Sequence, residues 1–232
     1  MVEIQKQTIF EDVEFLFIET ASPEKERELI FPYTQKYENI KLITTEDRRS
    51  LYQAWNMGWQ EAQAKLICYS NMDDALHPEC LQKVSETMES EPDVDICSVM
   101  IARQHNGSPG EVDSFDSKRL RKLTIGRRPG PFSAWRTNLK NKIGMFNEDY
   151  LIISDMEFWT RIADAKLNAK LIRKVLYLYS IADTQLSKGG GRRKEHQDIS
   201  KKGVHLRWDP KITKSILWHR KLFLLIPGKY LP

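Results

Sequence analysis

Two neighbouring carboxylates, Asp73 and Asp74, closely follow the apolar segment 65–70 (KLICYS). A short apolar run bounded by polar residues is typical of a buried strand. Two adjacent carboxylates at the end of such a strand repel each other unless a cation or a proton neutralises them. A Mg²⁺ or Mn²⁺ ion bound to a diphosphate suits this position, because these ions often take only one or two carboxylates and complete their shell with phosphate oxygens and water.

The structural alternative is that Asp73 and Asp74 only end the strand and cap the helix that follows. An aspartate pair is a short motif that often arises by chance, so on its own it favours this alternative. The metal hypothesis therefore needs support from other residues.

A third carboxylate, Asp155, lies in segment 154–157 (SDME). The spacing S-x-x-E predicts a capping box, in which Ser154 caps a helix and Glu157 reaches back to it. Asp155 would then lie in the first turn, where the helix dipole stabilises its charge. In that position it can also serve as a general base for a hydroxyl group.

Alternating strands and helices must position these carboxylates. Ser22 and Pro23 favour the start of a helix that runs to about Tyr37 with an interruption at Pro32, and Pro78 opens another. Apolar runs that predict strands lie at 13–19, 40–44, 65–70, 94–101 and 170–179, and further helices are predicted at about 51–62 and 155–165. This order predicts an α/β fold with a mainly parallel sheet, helices on both faces, and ligand sites beyond the carboxyl ends of the strands.

Two polar, basic segments interrupt this order. Residues 104–131 form a long glycine-containing excursion of the kind that is often functional, and residues 188–194 (KGGGRRK) form a cationic loop. Arg192, Arg193 and Lys194 could close over a diphosphate, although a run of charges is more often a solvated loop. The chain has no internal repeat and no clear linker.

The composition is that of a globular chain. Its 232 residues are 41% hydrophobic and include nine Phe, eight Tyr and six Trp, which excludes a disordered chain. The net charge of +4 suits phosphate-bearing ligands but is too small to predict nucleic-acid binding. Cys68, Cys80 and Cys97 lack metal-ligand spacing, and the longest apolar stretch, 222–226, is far shorter than the ~20 residues that span a bilayer. We therefore expect a cytoplasmic protein.

Two blocks of the sequence together resemble family 2 glycosyltransferases of the GT-A (Rossmann-like) fold. The first is 46–74 (EDRRSLYQAWNMGWQEAQAKLICYSNMDD), with an acidic residue, an aromatic, Asn-x-Gly, an amphipathic helix, an apolar strand and a D-x-D-like end. The second comprises 135–136 (WR), 142–148 (KIGMFNE) and 154–161 (SDMEFWTR), which are similar to the W-R, G-x-F-D-E and D-x-E-F-W-x-R elements of that family. Both blocks occur in order and at a sensible separation, which is more specific than either alone.

The resemblance implies an inverting enzyme that moves a sugar from a UDP- or GDP-linked donor to the hydroxyl of a carbohydrate or other acceptor, with Mn²⁺ or Mg²⁺. By position, Asp73 would contact the metal and Asp155 would be the catalytic base. Asn71 stands where the first Asp of D-x-D usually lies, and Glu19 stands where the family has an Asp facing the nucleoside. The remaining positions that the resemblance implies are Asn56, Asp74 and Arg136 on the donor side, and Trp135, Glu157 and Trp159 on the acceptor side.

The chain departs from the family at its start, where an opening central strand and most of a first helix have no counterpart. We expect a late-starting gene model or fragment, with a partner-supplied strand or a shortened non-catalytic protein as alternatives. We expect residues 1–205 to form the glycosyltransferase-like domain. Residues 206–232 are expected to form a basic, aromatic tail that packs on the domain or contacts a membrane surface.

Two other functions stay open. A binding or scaffold protein would keep this fold without catalysis. A nucleotidyltransferase also uses paired aspartates in an α/β sheet, but a glycine-rich phosphate loop is expected near its start and none is visible. The sequence does not predict an oligomeric state.

Overall fold

The strands and helices of the chain follow the predicted order. The computed structural model describes residues 2–24, 26–105 and 131–181, together with residues 194, 195 and 197. Its strands are Phe15–Thr20 (β1), Ile40–Thr45 (β2), Leu66–Cys68 (β3), Ala75–Leu76 (β4), Ile96–His105 (β5), Ser133–Arg136 (β6) and Ala169–Ile181 (β7). Its helices are Val2–Gln5 (α1), Glu26–Lys36 (α2), Leu51–Glu61 (α3), Cys80–Ser90 (α4), Lys140–Ile143 (α5) and Ser154–Asp164 (α6). Residues 106–130 of the excursion predicted at 104–131, residues 188–193 of the cationic loop, and the tail from 206 lie outside the described residues.

The strands form two groups. Strands β1 and β2 pair in parallel, and a five-stranded sheet has the order β3-β6-β5-β7-β4. In the larger sheet only β5 and β7 pair in parallel, whereas the other three pairs are antiparallel. The predicted α/β architecture is confirmed, but the sheet is mixed rather than mainly parallel. The difference arises at β6, which runs back between β3 and β5 and is antiparallel to both, and at β4, which is antiparallel to β7.

Helix α3 shows how β1 and β3 are oriented. Near its carboxyl end, the backbone N–H of Gln63 donates to Glu14 Oε2, just before β1, over 3.0 Å. In mid-helix, a Cβ atom built on Gly58 would lie 3.4 Å from Ile18 Cγ1, so the helix closely approaches the later part of β1. Almost one helical turn before Gly58, the Trp55 ring stacks on Tyr69, just after β3, with ring centroids 4.6 Å apart. Both strands therefore run opposite to α3, and their carboxyl ends lie at the same edge.

Strands β1 and β3 each have one edge that pairs with no strand in the described part of the chain. Strand β1 pairs only with β2, and β3 pairs only with β6. The apolar residues at positions 15–18 of β1 are accordingly only half-buried.

Helices cover both faces of the larger sheet. Helix α4 contributes Val84 and Met88 to one core, which also contains Phe132 and Leu176. Helices α3 and α6 cover the other face through an aromatic cluster. We define the aromatic cluster as Tyr52, Trp55, Trp59, Tyr69, Trp135, Phe146 and Phe158.

Helix α2 differs from its prediction, because it continues through Pro32 without interruption. Proline removes one intrahelical hydrogen bond. This part of the helix faces solvent, since the side chains of Leu29 and Phe31 are 67% and 55% exposed. Water can satisfy the carbonyl group that proline leaves unpaired there. Across the ranges that the structure describes, no helix is both long and apolar enough to cross a membrane.

We expect Phe158→Ala to lower the free energy of unfolding by about 3–5 kcal/mol, because truncating a buried phenylalanine removes apolar contacts and leaves a cavity. Phe158 is fully buried in the aromatic cluster. The matched control is Phe31→Ala, for which a change within about 0.5 kcal/mol is expected at an exposed position. Urea unfolding measures both, and equal losses in the two variants would contradict this placement of the core.

Candidate active site

The turn after β3 is fixed by Asp74, which is 8% exposed. Its Oδ2 atom accepts hydrogen bonds from the Tyr177 hydroxyl, over 2.6 Å, and from the Asn71 side-chain amide, over 2.8 Å. Its Oδ1 atom accepts from the backbone N–H of Ser180 over 2.8 Å. Asp74 thus ties the turn at 71–74 to the carboxyl end of β7, where it acts as an internal brace.

Burial dominates the electrostatics of Asp74. Desolvation raises the pKa of its carboxyl group from 3.8 to about 6, although the hydrogen bonds from Tyr177, Ser180 and Asn71 act in the opposite direction. The charge of Asp73 adds a smaller upward contribution to the pKa. Near neutral pH, Asp74 therefore carries a negative charge, and the burial of this charge lowers the stability of the fold.

Asp73 has a different environment from its neighbour. Its side chain is exposed, and it makes no hydrogen bond or ion pair with any residue that the structure describes. The described residues also contain no group of three or more His, Cys, Asp or Glu side chains placed to hold a metal ion. The available donor set is one exposed carboxylate beside the amide oxygen of Asn71, whose nitrogen faces Asp74. This set fits Mg²⁺ or Mn²⁺ that takes most of its ligands from phosphate and water.

Asp155 lies in the first turn of α6, as predicted, and its carboxylate is held from two sides. The backbone N–H of Met156 donates to Oδ1 over 2.8 Å, and the Tyr52 hydroxyl donates to the same atom over 3.1 Å. The Tyr52 oxygen also lies 3.0 Å from the carbonyl oxygen of Ile152. Burial, and then the charge of Asp155, raise the pKa of Tyr52 well above its usual value, so the phenol stays a donor.

The predicted capping box at 154–157 is wrong. Ile153 is the N-cap of α6 and makes no side-chain capping bond, while the buried Ser154 hydroxyl has no hydrogen-bond partner among the residues that the structure describes. Glu157 instead forms an ion pair with Arg161, which also donates to the carbonyl oxygens of Ile143 and Met145. Through Arg161, Glu157 therefore fixes α6 to the loop around Gly144, where φ is +75°.

The first turns of α3 bring the two acidic segments together. Tyr52, which contacts Asp155, packs edge-on against Trp55 with ring centroids 5.4 Å apart. Trp55 in turn stacks on Tyr69, whose hydroxyl donates to the Trp55 carbonyl oxygen over 2.8 Å. Tyr69 lies two residues before the turn at 71–74, which contains Asp73. Asp155 and the turn at 71–74 thus flank the same end of α3.

Glu19 lies at the carboxyl end of β1, at this same edge of the fold, and is buried. Its carboxylate accepts from the backbone N–H of Ser22 over 2.6 Å and from Arg27 Nε over 3.1 Å. The Ser22 amide, followed by the Arg27 guanidinium, holds the pKa of Glu19 below its usual value. Glu19 therefore fixes the turn after β1, in which Ala21 has a φ of +52°.

Several residues that the resemblance places in the site make contacts within the fold. Asn56 uses its amide to bind both backbone groups of Phe146 and the carboxylate of Glu148. Arg136 pairs with Leu66, at the start of β3 and thus away from Asp73, and donates to the carbonyl oxygens of Met88, Pro92 and Val94. Trp135 and Trp159 are buried against each other. These contacts favour supporting roles, so we leave Asn56, Arg136, Trp135, Glu157 and Trp159 out of the proposed site.

Sequence reasoning missed Tyr52 and Tyr177, the two phenols that hold Asp155 and Asp74. Tyr52 had a signal, because Tyr52, Trp55 and Trp59 recur with the i, i+3, i+7 spacing of one helix face. Tyr177 had none, because its partner lies 103 residues earlier.

The raised pKa of Asp74 predicts how stability depends on pH in metal-free buffer. The folded state holds the Asp74 proton up to about pH 6, whereas the unfolded chain releases it near pH 3.8. The free energy of unfolding should therefore fall between these pH values as pH rises, by at most about 3 kcal/mol. Asp74→Asn should lack this decrease, and exposed Asp93→Asn should retain it. Urea unfolding between pH 4 and 7 measures both, and parallel curves for Asp74→Asn and the wild type would contradict the assignment.

The fold is similar to those of solved structures of TarS and of a mannosyltransferase. Residues 1–349 of TarS from S. aureus, solved with UDP, superpose with a TM-score of 0.63 at 16% identity, over 99% of this chain and 68% of that one. A longer TarS structure gives a TM-score of 0.65 at 14% identity, over 99% of this chain and 42% of that one. A mannosyltransferase from Pyrobaculum calidifontis, solved with GDP-Man and Mn²⁺, gives 0.63 at 18% identity, over 97% of this chain and 65% of that one. The TarS fragment was also solved with UDP-GlcNAc.

Identities this low show a shared fold, and this chain spans less than two thirds of the longer TarS structure and of the mannosyltransferase. Comparison with curated proteins gives no significant match. The sequence profile of glycosyl transferase family 2 matches residues 2–156, which is more than half of the chain. This stretch includes β1 to β3, the turn at 71–74 and the start of α6. The chain therefore belongs to glycosyl transferase family 2, and its fold is of the GT-A type.

Proposed function

We propose that this chain transfers a sugar from a nucleoside diphosphate donor to a hydroxyl acceptor with inversion at the anomeric carbon. The observation that supports this best is the placement of two carboxylates at one end of α3. Asp155 is held there by Tyr52, and the turn with Asp73 is held there through Trp55 and Tyr69. One carboxylate is positioned as a base, and the other remains exposed to a charged ligand.

The proposed reaction is a direct displacement. The acceptor oxygen forms a bond to the anomeric carbon while the bond from that carbon to the diphosphate breaks, and the diphosphate leaves with the electron pair. Asp155 takes the proton that the acceptor hydroxyl loses. A carboxylate is a weak base, so its fixed position at Tyr52 and Met156 contributes more than its basicity.

The donor side consists of Asp73 and Asn71, with Asp74 and Glu19 as supports. When bound, Mn²⁺ or Mg²⁺ neutralises charge on the departing diphosphate, and Asp73 is the carboxylate that would hold it. Asp74 fixes the turn so that Asp73 faces solvent, and Glu19 fixes the turn after β1 together with Arg27. The donors of the similar structures, UDP-GlcNAc and GDP-Man, are the first ones to test.

Asp73→Asn should weaken the Mn²⁺-dependent binding of UDP or GDP at least tenfold, because the variant loses the charge that holds the cation. Asp93→Asn is the control, since Asp93 is an exposed aspartate between α4 and β5. Isothermal titration with each nucleotide, with and without Mn²⁺, measures the effect.

Two outcomes would count against this assignment. Equal binding by Asp73→Asn and the wild type would remove Asp73 from the site. Absence of heat for the wild type with either nucleotide would favour the scaffold alternative, in which the fold is kept without donor binding.

Asp155→Asn should leave nucleotide binding unchanged and reduce donor turnover by about 10²–10⁴-fold, the usual contribution of a general base. Tyr52→Phe should reduce turnover by about tenfold, because it removes one hydrogen bond to that base. The assay is the release of UDP or GDP from UDP-GlcNAc or GDP-Man in Mn²⁺, with simple sugars and water as acceptors. Full turnover by Asp155→Asn would exclude Asp155 as the base.

A further inference from the structure

A carboxylate from far along the chain binds the segment that leads into α6. Glu195 Oε1 accepts from the backbone N–H of Leu151 over 2.9 Å, and its Oε2 accepts from those of Ile152 and Ile153, each over 3.0 Å. These amides immediately precede the helix that contains Asp155. Glu195 thus supplies acceptors at a helix start where the N-cap, Ile153, has no side-chain capping bond.

Ile152 connects this contact to the catalytic base. Its N–H donates to Glu195, and its carbonyl oxygen lies 3.0 Å from the Tyr52 hydroxyl. That hydroxyl has a single proton, which Ile152 and Asp155 Oδ1 must share. The position of the Ile152 peptide therefore affects how strongly Tyr52 can hold Asp155.

The charge of Glu195 acts in the same place. Burial and then the charge of Asp155 raise the pKa of Tyr52, and the charge of Glu195 makes a smaller contribution in the same direction. Three N–H groups directed at one carboxylate are charge-assisted hydrogen bonds, which are shorter and stronger than neutral ones. Such a contact can fix a loop that has no regular secondary structure.

We propose that Glu195 is a positioning residue for Asp155, acting through the peptide of Ile152 and the hydroxyl of Tyr52. This inference rests on the proposed function, since it assigns Glu195 to the same base. Glu195 touches neither donor nor acceptor in this role. Its loss should slow the chemical step and spare donor binding.

The test compares Glu195→Ala and Glu195→Gln with the wild type in the donor-turnover assay. We expect Glu195→Ala to lower kcat about tenfold with the KM for the donor within about threefold, because the donor side is not altered. Glu195→Gln keeps one acceptor oxygen and should retain an intermediate kcat. Gln197→Ala is the control, as an exposed residue of the same segment that should behave as the wild type.

A double-mutant cycle tests the route through Tyr52. In a Tyr52→Phe background, Glu195→Ala should cause less than a further twofold loss of kcat, because the link to Asp155 is already broken. A further tenfold loss would show that Glu195 acts by another route and would overturn the inference. An unchanged kcat in Glu195→Ala would also overturn it.

Hydrogen exchange tests the contact without using activity. The amide protons at 151–153 should exchange at least tenfold faster in Glu195→Ala, while those of β5 should keep wild-type rates. Unchanged exchange at 151–153 would overturn the inference even if the enzyme is active. A wild type that binds UDP or GDP but turns over no donor would instead refute the proposed function, and the positioning role would be refuted with it.

Discussion

A single hydroxyl group, that of Tyr52, sets the geometry at the start of α6. The Tyr52 side chain is buried, and its hydroxyl group donates to Asp155 and to the carbonyl oxygen of Ile152. Its ring packs against Trp55 and Phe146. Because these rings are part of a close-packed core, the phenol oxygen cannot move without disturbing several aromatic contacts. Core packing on the sheet therefore fixes Tyr52, and Tyr52 in turn fixes the proposed base in the first turn of α6.

Asp73 and Asp74 divide two tasks that a single carboxylate could not perform. Asp74 accepts three hydrogen bonds and is buried, so it holds the turn at 71–74 against β7. Asp73 stays exposed beside it. A buried charge destabilises the fold unless it is well bonded, and Asp74 meets this condition only in part, because burial still dominates its pKa. The contacts of Asp74 thus hold the turn rigid, but its buried charge lowers the free energy of unfolding above pH 6.

The elements of this fold were predictable wherever their signal was local. Apolar runs and helical periodicity gave β1, β2, β3, β5 and β7 and helices α2 to α4, since burial of one face imposes these patterns. The resemblance located Asp73 and Asp155. The contacts that hold them were not predictable, because Tyr177 and Glu195 reach their partners from more than 40 residues away along the chain. The capping box failed for the same reason: a distant carboxylate binds the amides before α6, and Ser154 became a buried first residue of the helix.

The unpaired edges of β1 and β3 have a consequence for handling the protein. Each strand presents backbone donors and acceptors that no strand of the described chain meets on that side, and β1 adds half-buried aromatic and aliphatic side chains. Such a border is a template for any extended peptide, including the same segment of a neighbouring molecule. Purified at high concentration, this chain should tend to self-associate through these strands, and an added peptide that pairs with their free edges should suppress this tendency.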